Sequence, residues 1–319
     1  MKMEDVATWG RSAPIVVGLG ELIWDILPGG KQLGGAPTNF AYFSRLLGNE
    51  SIIASRIGDD ALGREASQLL SRLGVSTKYL QVDRKHPTGT VRVRLDERGE
   101  AIFAMNENSA WDYLEWTDEW EKLALQADVV CFGTLGQRAD PARQTITRFL
   151  ELTRPGALRV FDVNLRHSFF DAGMLEKFLR LASIVKLNLA EFHTLGRMFE
   201  FGENAEEEVL AMHLLNKFDL ELVAVSRGER GSLLVTKDEA CEHPGIRVRV
   251  RDTIGAGDAF IATLIHYYLR RAPLADISET ANRVAAWVAT QEGATPTLSP
   301  QTLEQILKGV EASRKPGLI

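Results

Sequence analysis

Short apolar runs that alternate with stretches of helical period restrict this chain more than any other feature. PIVVGLG from Pro14, SIIASRIG from Ser51, DVVCFGTLG from Asp128, LRVFDVNLR from Leu158, SIVKLNLA from Ser183 and LVAVS from Leu222 are brief and rich in β-branched residues. Runs of that kind suit strands covered on both faces. Helical patterns stand between them. GGAPTNFAYFSRLLG puts Phe40, Phe43, Leu46 and Leu47 on one face, with Pro37 near its start and Gly48 at its end, and DALGREASQLLSRLG does the same with Leu62, Ala66, Leu69, Leu70 and Leu73. PARQTITRFLELT, MLEKFLRLA and EEEVLAMHLLNKF continue the rhythm, and AFIATLIHYYLRR, ETANRVAAWVAT and LSPQTLEQILKGV close the chain as helices. Such alternation implies an α/β fold with a mainly parallel sheet between two layers of helices.

The rhythm breaks once. In TGTVRVRLDERGEAIFAM, Val91, Val93 and Leu95 alternate with polar residues, ERGE offers a turn, and Ala101, Phe103 and Met105 alternate again, the pattern of an antiparallel hairpin. GELIWDIL alternates too. A small inserted β-sheet from about residues 21–34 and 86–106 is therefore expected on one domain spanning 1–319, since no repeat or low-complexity linker divides the chain. A sheet that small has little core of its own, which makes a homodimer paired through it an expectation.

Bulk composition removes several functions. Lys and Arg total 37 against 43 for Asp and Glu, a net charge of -6, so no global positive field gathers nucleic acid or anionic lipid. Cys131 and Cys241 form no CxxC pair, and the six histidines lack metal spacing, which argues against a zinc ribbon or disulfide scaffold and for a reducing cytoplasm. No segment reaches the ~18 apolar residues of a membrane span, and MKMEDVATWGRSAP has no apolar stretch like that of a signal peptide. VVGLGELI has Ile23 where a dinucleotide fingerprint needs its third glycine, and GxxxxGK[ST] is absent, so any nucleotide phosphate must be held elsewhere.

RDTIGAGDAF, residues 251–260, offers that place. Gly255, Ala256 and Gly257 precede an apolar helix, and N–H groups converging there with the helix dipole favour an incoming anion. Asp258 immediately after them is out of keeping with an anion site. Either it caps the helix, or it takes the proton of a hydroxyl attacking a phosphoryl group that the amides hold.

DTIGAGDAF resembles the C-terminal signature of the PfkB, or ribokinase-like, carbohydrate kinases, and GGAPTNFAYFSRLLGNESIIASRIGDDALG resembles their N-terminal one. The two occur in the expected order, and the likeness covers most of the chain. It implies an αβα core on about eight or nine strands with a small β lid, ATP and Mg²⁺ as cofactors, and in many relatives a monovalent cation such as K⁺. By the same resemblance Asp258 is the catalytic base, Gly255, Ala256 and Gly257 form the anion hole, and Asp252 and Thr253 shape the turn, Asp252 lying beside the cation. KLNLAEF resembles the family's NxxE motif, so Asn188 and Glu191 would organise Mg²⁺ mainly through water; the plain alternative is an Asn turn followed by a solvated helix acid. Ser226, Gly228 and Gly231 in VSRGERG would lie near ATP, and Asn282 near the adenine or simply on a polar helix surface.

On the sugar side the resemblance places Asp25, Gly34, Gly35 and Asn39 at the substrate hydroxyls, where a carboxylate accepts and an amide both donates and accepts. Asp25 could equally be a turn residue and Asn39 a helix-start cap. Arg166 would reach the phosphate or the substrate, or form a surface ion pair. Phe103 and Met105 would close over the sugar or merely pack the lid, and Trp111, Trp116 and Trp120 read as hinge and core aromatics. The sequence departs from the family at Ile254, Ala262 and Thr263, which affects packing rather than chemistry. GGAPTN and GELIWDILP look more like fructokinases than ribokinases, whose GGKGAN-type stretch has Lys where Ala36 stands. The expected reaction is transfer of the ATP γ-phosphate to a primary hydroxyl of a small sugar, fructose to fructose 6-phosphate. Ribose, ketodeoxygluconate and nucleosides stay open as acceptors, as does a non-catalytic relative that binds a sugar or a partner protein.

Overall fold

The computed structural model describes residues 13–312 apart from 28, 96–100, 167–168 and 202–205. In chain order the strands are β1 (Ile15–Leu19), β2 (Ile23–Leu27), β3 (Gly30–Gly34), β4 (Glu50–Gly58), β5 (Leu80–Asp83), β6 (Gly89–Leu95), β7 (Ala101–Met105), β8 (Val129–Gly133), β9 (Leu158–Asp162), β10 (Ile184–Asn188), β11 (Leu222–Ser226), β12 (Ser232–Val235) and β13 (Ala240–His243). The helices are α1 (Ala36–Leu46), α2 (Ala61–Arg72), α3 (Asp118–Gln126), α4 (Asp140–Glu151), α5 (Ala172–Leu181), α6 (Leu189–Met198), α7 (Glu207–Phe218), α8 (Ala256–Tyr268), α9 (Leu274–Ala289) and α10 (Pro300–Ala312).

Nine strands form one sheet in the order β13-β12-β11-β10-β9-β8-β1-β4-β5. The seven from β11 to β5 run parallel, and β12 and β13 add an antiparallel edge. Because successive strand residues point to opposite faces, the sheet feeds two cores. Val17, Val130, Phe161, Val185 and Val223 pack with residues of α3 to α7. Val16, Val129, Val160, Ile184 and Leu222 pack on the other face with α1, α2, α8 and α9. The uninterrupted apolar runs of the sequence are explained by this double covering. Trp120 (α3) lies in the first core, and Trp111 is fully buried in a 3-10 turn with the Arg138 guanidinium 4.1 Å from its ring centre, in keeping with core roles. Cys131 lies buried in β8 as a core residue.

The second sheet has the order β3-β2-β6-β7. The β6–β7 hairpin is antiparallel with Val91 opposite Met105, and β2–β3 is antiparallel with Asp25 opposite Gln32, but β2 and β6 run parallel. Ile23, Val91, Trp111 and Leu135 make its small core, with Met105 against them. Met105 is partly buried against this core; the side chain of Phe103 lies outside the described residues.

Candidate active site

Strand order reverses at β1, which has β4 on one side and β8 on the other. In open parallel sheets the crevice beyond the carboxyl ends of the strands at such a point is where ligands bind. The first turn of α1 and Lys186 of β10 reach the start of α8 here. The site is built on them.

The glycine turn is held from its own flank. Asp252 Oδ1 accepts from the Ile254 amide at 2.9 Å and Oδ2 from the Gly293 amide at 3.1 Å, so both carboxylate oxygens shape the turn. Gly255 stands before α8 with φ 79° and no side-chain cap, and a Cβ there would lie 2.2 Å from the Ala294 carbonyl oxygen. Both conditions exclude any other residue. Gly255→Ala is expected to cost about 2 kcal/mol or more, combining left-handed strain with the overlap. A melting temperature within a degree of wild type would contradict this reading.

Asp258 is the third residue of α8 and does not cap it. Its Oδ2 accepts from Asn39 Nδ2 at 2.8 Å, across 219 residues of sequence. Burial and the neighbouring Asp162 push the carboxyl up to about 6, against the pull of Lys186, Asn39 and Arg166. A carboxyl poised there is ionised at neutral pH yet basic enough to take a hydroxyl proton. Asn39 is buried in the first turn of α1, and its Oδ1 has no protein partner. Asp25 is also raised to about 6, chiefly by burial and in part by Asp252, with Arg166 opposing. A Cβ on Gly34 would meet Asp25 Oδ2 at 2.6 Å, so this glycine makes room for the acid. Exposed Arg166 lies within electrostatic reach of both Asp25 and Asp258.

On the nucleotide side, Asn188 and Ser226 are register partners at the ends of β10 and β11, and Ser226 Oγ donates to the Leu187 carbonyl at 3.3 Å. Asn188 and Glu191 form a capping box: Asn188 Oδ1 accepts from the Glu191 amide at 2.9 Å and Glu191 Oε2 from the Asn188 amide at 2.8 Å. Glu191 Oε1 accepts from the Leu165 amide at 3.0 Å. Glu191 is buried, so the solvated helix acid is excluded. Among the described residues no three His, Cys, Asp or Glu are grouped to hold a metal ion, and with both Glu191 oxygens engaged this pair fits contact through water rather than direct ligation. Gly228 faces open space, whereas Gly231 lets the chain cross His243, whose carbonyl oxygen is 2.1 Å from a Cβ there. Asn282 is no surface residue. It is buried in α9, and its Nδ2 donates to Ser232 Oγ at 2.7 Å and to the Ser278 carbonyl at 2.8 Å.

Three charged residues of the site were not singled out by the sequence reading. Lys186 and Asp162 are cross-strand neighbours on β10 and β9, both buried, with Lys186 Nζ donating to Asp162 Oδ1 at 3.0 Å. Nζ lies 2.9 Å from where a Gly257 Cβ would be, directly behind the anion turn. Burial opposes the lysine's charge, but Asp162, Glu191 and Asp258 hold its proton more tightly than usual. Glu21, after β1, is 1% exposed and is pushed up to about 7, mainly by burial, with Asp258 and Asp162 adding to the effect. The available signal was a charged side chain inside or beside a run otherwise apolar enough to be covered on both faces.

A buried carboxyl and a buried lysine thus stand at a glycine-led helix start, with a second raised carboxyl at Asp25, group types suited to phosphoryl transfer to an alcohol. Residues 24–301 match the model of the pfkB family carbohydrate kinases. The chain is 32% identical over 260 residues to the fructokinase of Klebsiella pneumoniae, covering 77% of this chain and 82% of that one. Its fold superposes with a TM-score of 0.77 and 26% identity on the fructokinase of Vibrio cholerae O395 in its fructose, ADP and calcium ion bound form, over 93% of this chain and 100% of that one. Aminoimidazole riboside kinase from Salmonella enterica, complexed with aminoimidazole riboside and an ATP analog, gives a TM-score of 0.75 at 25% identity, over 92% and 99%. This chain belongs to the pfkB family of carbohydrate kinases, is an ATP-dependent sugar kinase, and has the ribokinase-like fold.

Proposed function

We propose that this kinase transfers the γ-phosphate of ATP to O6 of fructose, with Asp258 as the base and the Gly255–Gly257 turn as the anion hole. The observation that carries the reading is the bond from Asn39 to Asp258. It ties the acid that follows the nucleotide-side glycines to the helix that begins at the sugar-side glycines, so an acceptor bound by Asn39 presents its hydroxyl to Asp258. Proton removal and phosphate capture then occur at adjacent residues of one helix start.

Asp25 and Asn39 hold the other hydroxyls, and Arg166 offsets the charge shared between acceptor and phosphate. Asn188 and Glu191 would help to hold Mg²⁺, through water, and the metal would supply charge neutralisation for the phosphates. Asp252, both of whose oxygens are engaged by amides, would bear on a K⁺ held near the turn only through its charge.

Fructose is preferred as acceptor because of the fructokinase likeness at 32% identity. A riboside is the second reading, favoured by the likeness to a riboside kinase. A panel of fructose, ribose, ketodeoxygluconate and adenosine at saturating Mg-ATP decides. An acceptor that lacks a matching hydroxyl leaves Asp25 or Asn39 unpaired, at ~1–3 kcal/mol, or roughly tenfold to a hundredfold in kcat/KM. Fructose is expected to lead. A tenfold lead for ribose or adenosine overturns the fructose assignment.

A further inference from the structure

Glu21 belongs to none of the roles above, yet the fold closes around it. Its Oε1 accepts from the Ala36 amide, the first residue of α1, at 3.2 Å. The residue before α1, Gly35, has φ 103° and gives the helix no side-chain cap, so the cap comes from a different segment of the chain. A Cβ on Gly35 would lie 2.6 Å from the Glu21 carbonyl oxygen, and one on Gly136 would lie 3.2 Å from Glu21 Oε2. The turn after β1 is therefore wedged between the start of α1 and the turn after β8. Oε2 is buried without a protein partner, a strained choice for a side chain whose only task is filling space.

What α1 delivers to the site is Asn39, one helical turn from Gly35, whose carbonyl accepts from the Asn39 amide at 2.9 Å. Asn39 in turn donates to Asp258. We propose that Glu21 is a positioning residue for phosphoryl transfer: by holding the Ala36 amide against the Gly136 turn it sets the start of α1, and through Asn39 it sets the orientation of the Asp258 carboxylate. The inference rests on the sugar-kinase reading of that site. It implies that loss of Glu21 damages the sugar side and the proton transfer while leaving the nucleotide side intact, because Asn188, Ser226 and the glycine turn are held by other contacts.

Glu21→Ala, Glu21→Gln and Glu21→Asp are compared with wild type using the best acceptor of the panel, alongside melting temperature and the KM for ATP. The Ala variant is expected to raise the sugar KM and lower kcat, each about tenfold, with the KM for ATP unchanged within twofold. The Gln variant, whose amide oxygen accepts the same bond, is expected within threefold of wild type. Asp, one methylene shorter, is expected to share the sugar-side loss. If the Ala variant does not fold, the Gln and Asp variants decide by the same criteria. A folded Ala variant with wild-type constants, an Asp variant equal to wild type, a Gln variant as damaged as Ala, or equal losses for sugar and ATP would each overturn the inference. A wild-type protein that phosphorylates no sugar would instead remove the reading beneath it, so the two failures are distinct.

Discussion

Replacing Asp258 by Asn is expected to lower kcat by roughly 10²-fold or more while leaving ATP affinity nearly unchanged. The substitution preserves size and leaves an amide oxygen to accept from Asn39 Nδ2, now at 2.8 Å. The negative charge is lost, and with it the ability to take a proton. Wild-type kcat/KM is expected to fall as pH drops through about 6, where the carboxyl protonates, and the Asn variant should lack that limb. Stability moves the other way. The folded value lies above the ordinary 3.8, so between the two the native state binds more protons than the unfolded one, and stability declines as pH rises through that window. At pH 7 the wild type carries the whole cost of the buried charge, so the Asn variant should melt at an equal or higher temperature. Turnover near wild type would refute the base.

The βα rhythm was legible because each strand run is apolar on successive residues, and Val16 and Val17 do face different cores. The hairpin at 89–105 was legible from its alternation, but its parallel pairing with β2 was not, since nothing local in GELIWDIL specifies which strand lies alongside. GIRVRVRDTIGAGD alternates like a strand, yet Val248 and Val250 are exposed and the last strand is Ala240–His243 instead. Its alternation has no sheet face to serve.

At the site, residues within a motif were legible because each motif is one turn of chain. Residues that complete it from other segments were not. Glu21 stands in what read as an incomplete dinucleotide fingerprint, and its meaning depends on Ala36 and Gly136. Asn282 and Gly231, which the resemblance puts near the nucleotide, likewise depend on other segments, through Ser232, Ser278 and the His243 backbone.

Lys186 is the strongest case of a residue hidden by its strand, and Lys186→Met is expected to lower kcat by about 10²-fold or more, comparable to losing an oxyanion donor. The ammonium sits behind Gly257 in a site that gathers negative charge as the phosphoryl group moves, and low polarity around it strengthens the attraction. Because Lys186 also draws the Asp258 carboxyl downward, the acid limb of kcat/KM should shift to higher pH in the Met variant. The difficulty is that Asp162, buried at 2% exposure, is stranded at the same time, and breaking a buried pair from one side costs ~3–5 kcal/mol. Loss of activity could then be mere unfolding. Lys186→Met combined with Asp162→Asn removes both charges, which a buried pair tolerates far better, so stability should return to within about 1 kcal/mol of wild type while kcat stays low. If the double variant recovers turnover with its stability, the lysine holds the strands together and takes no part in the transfer.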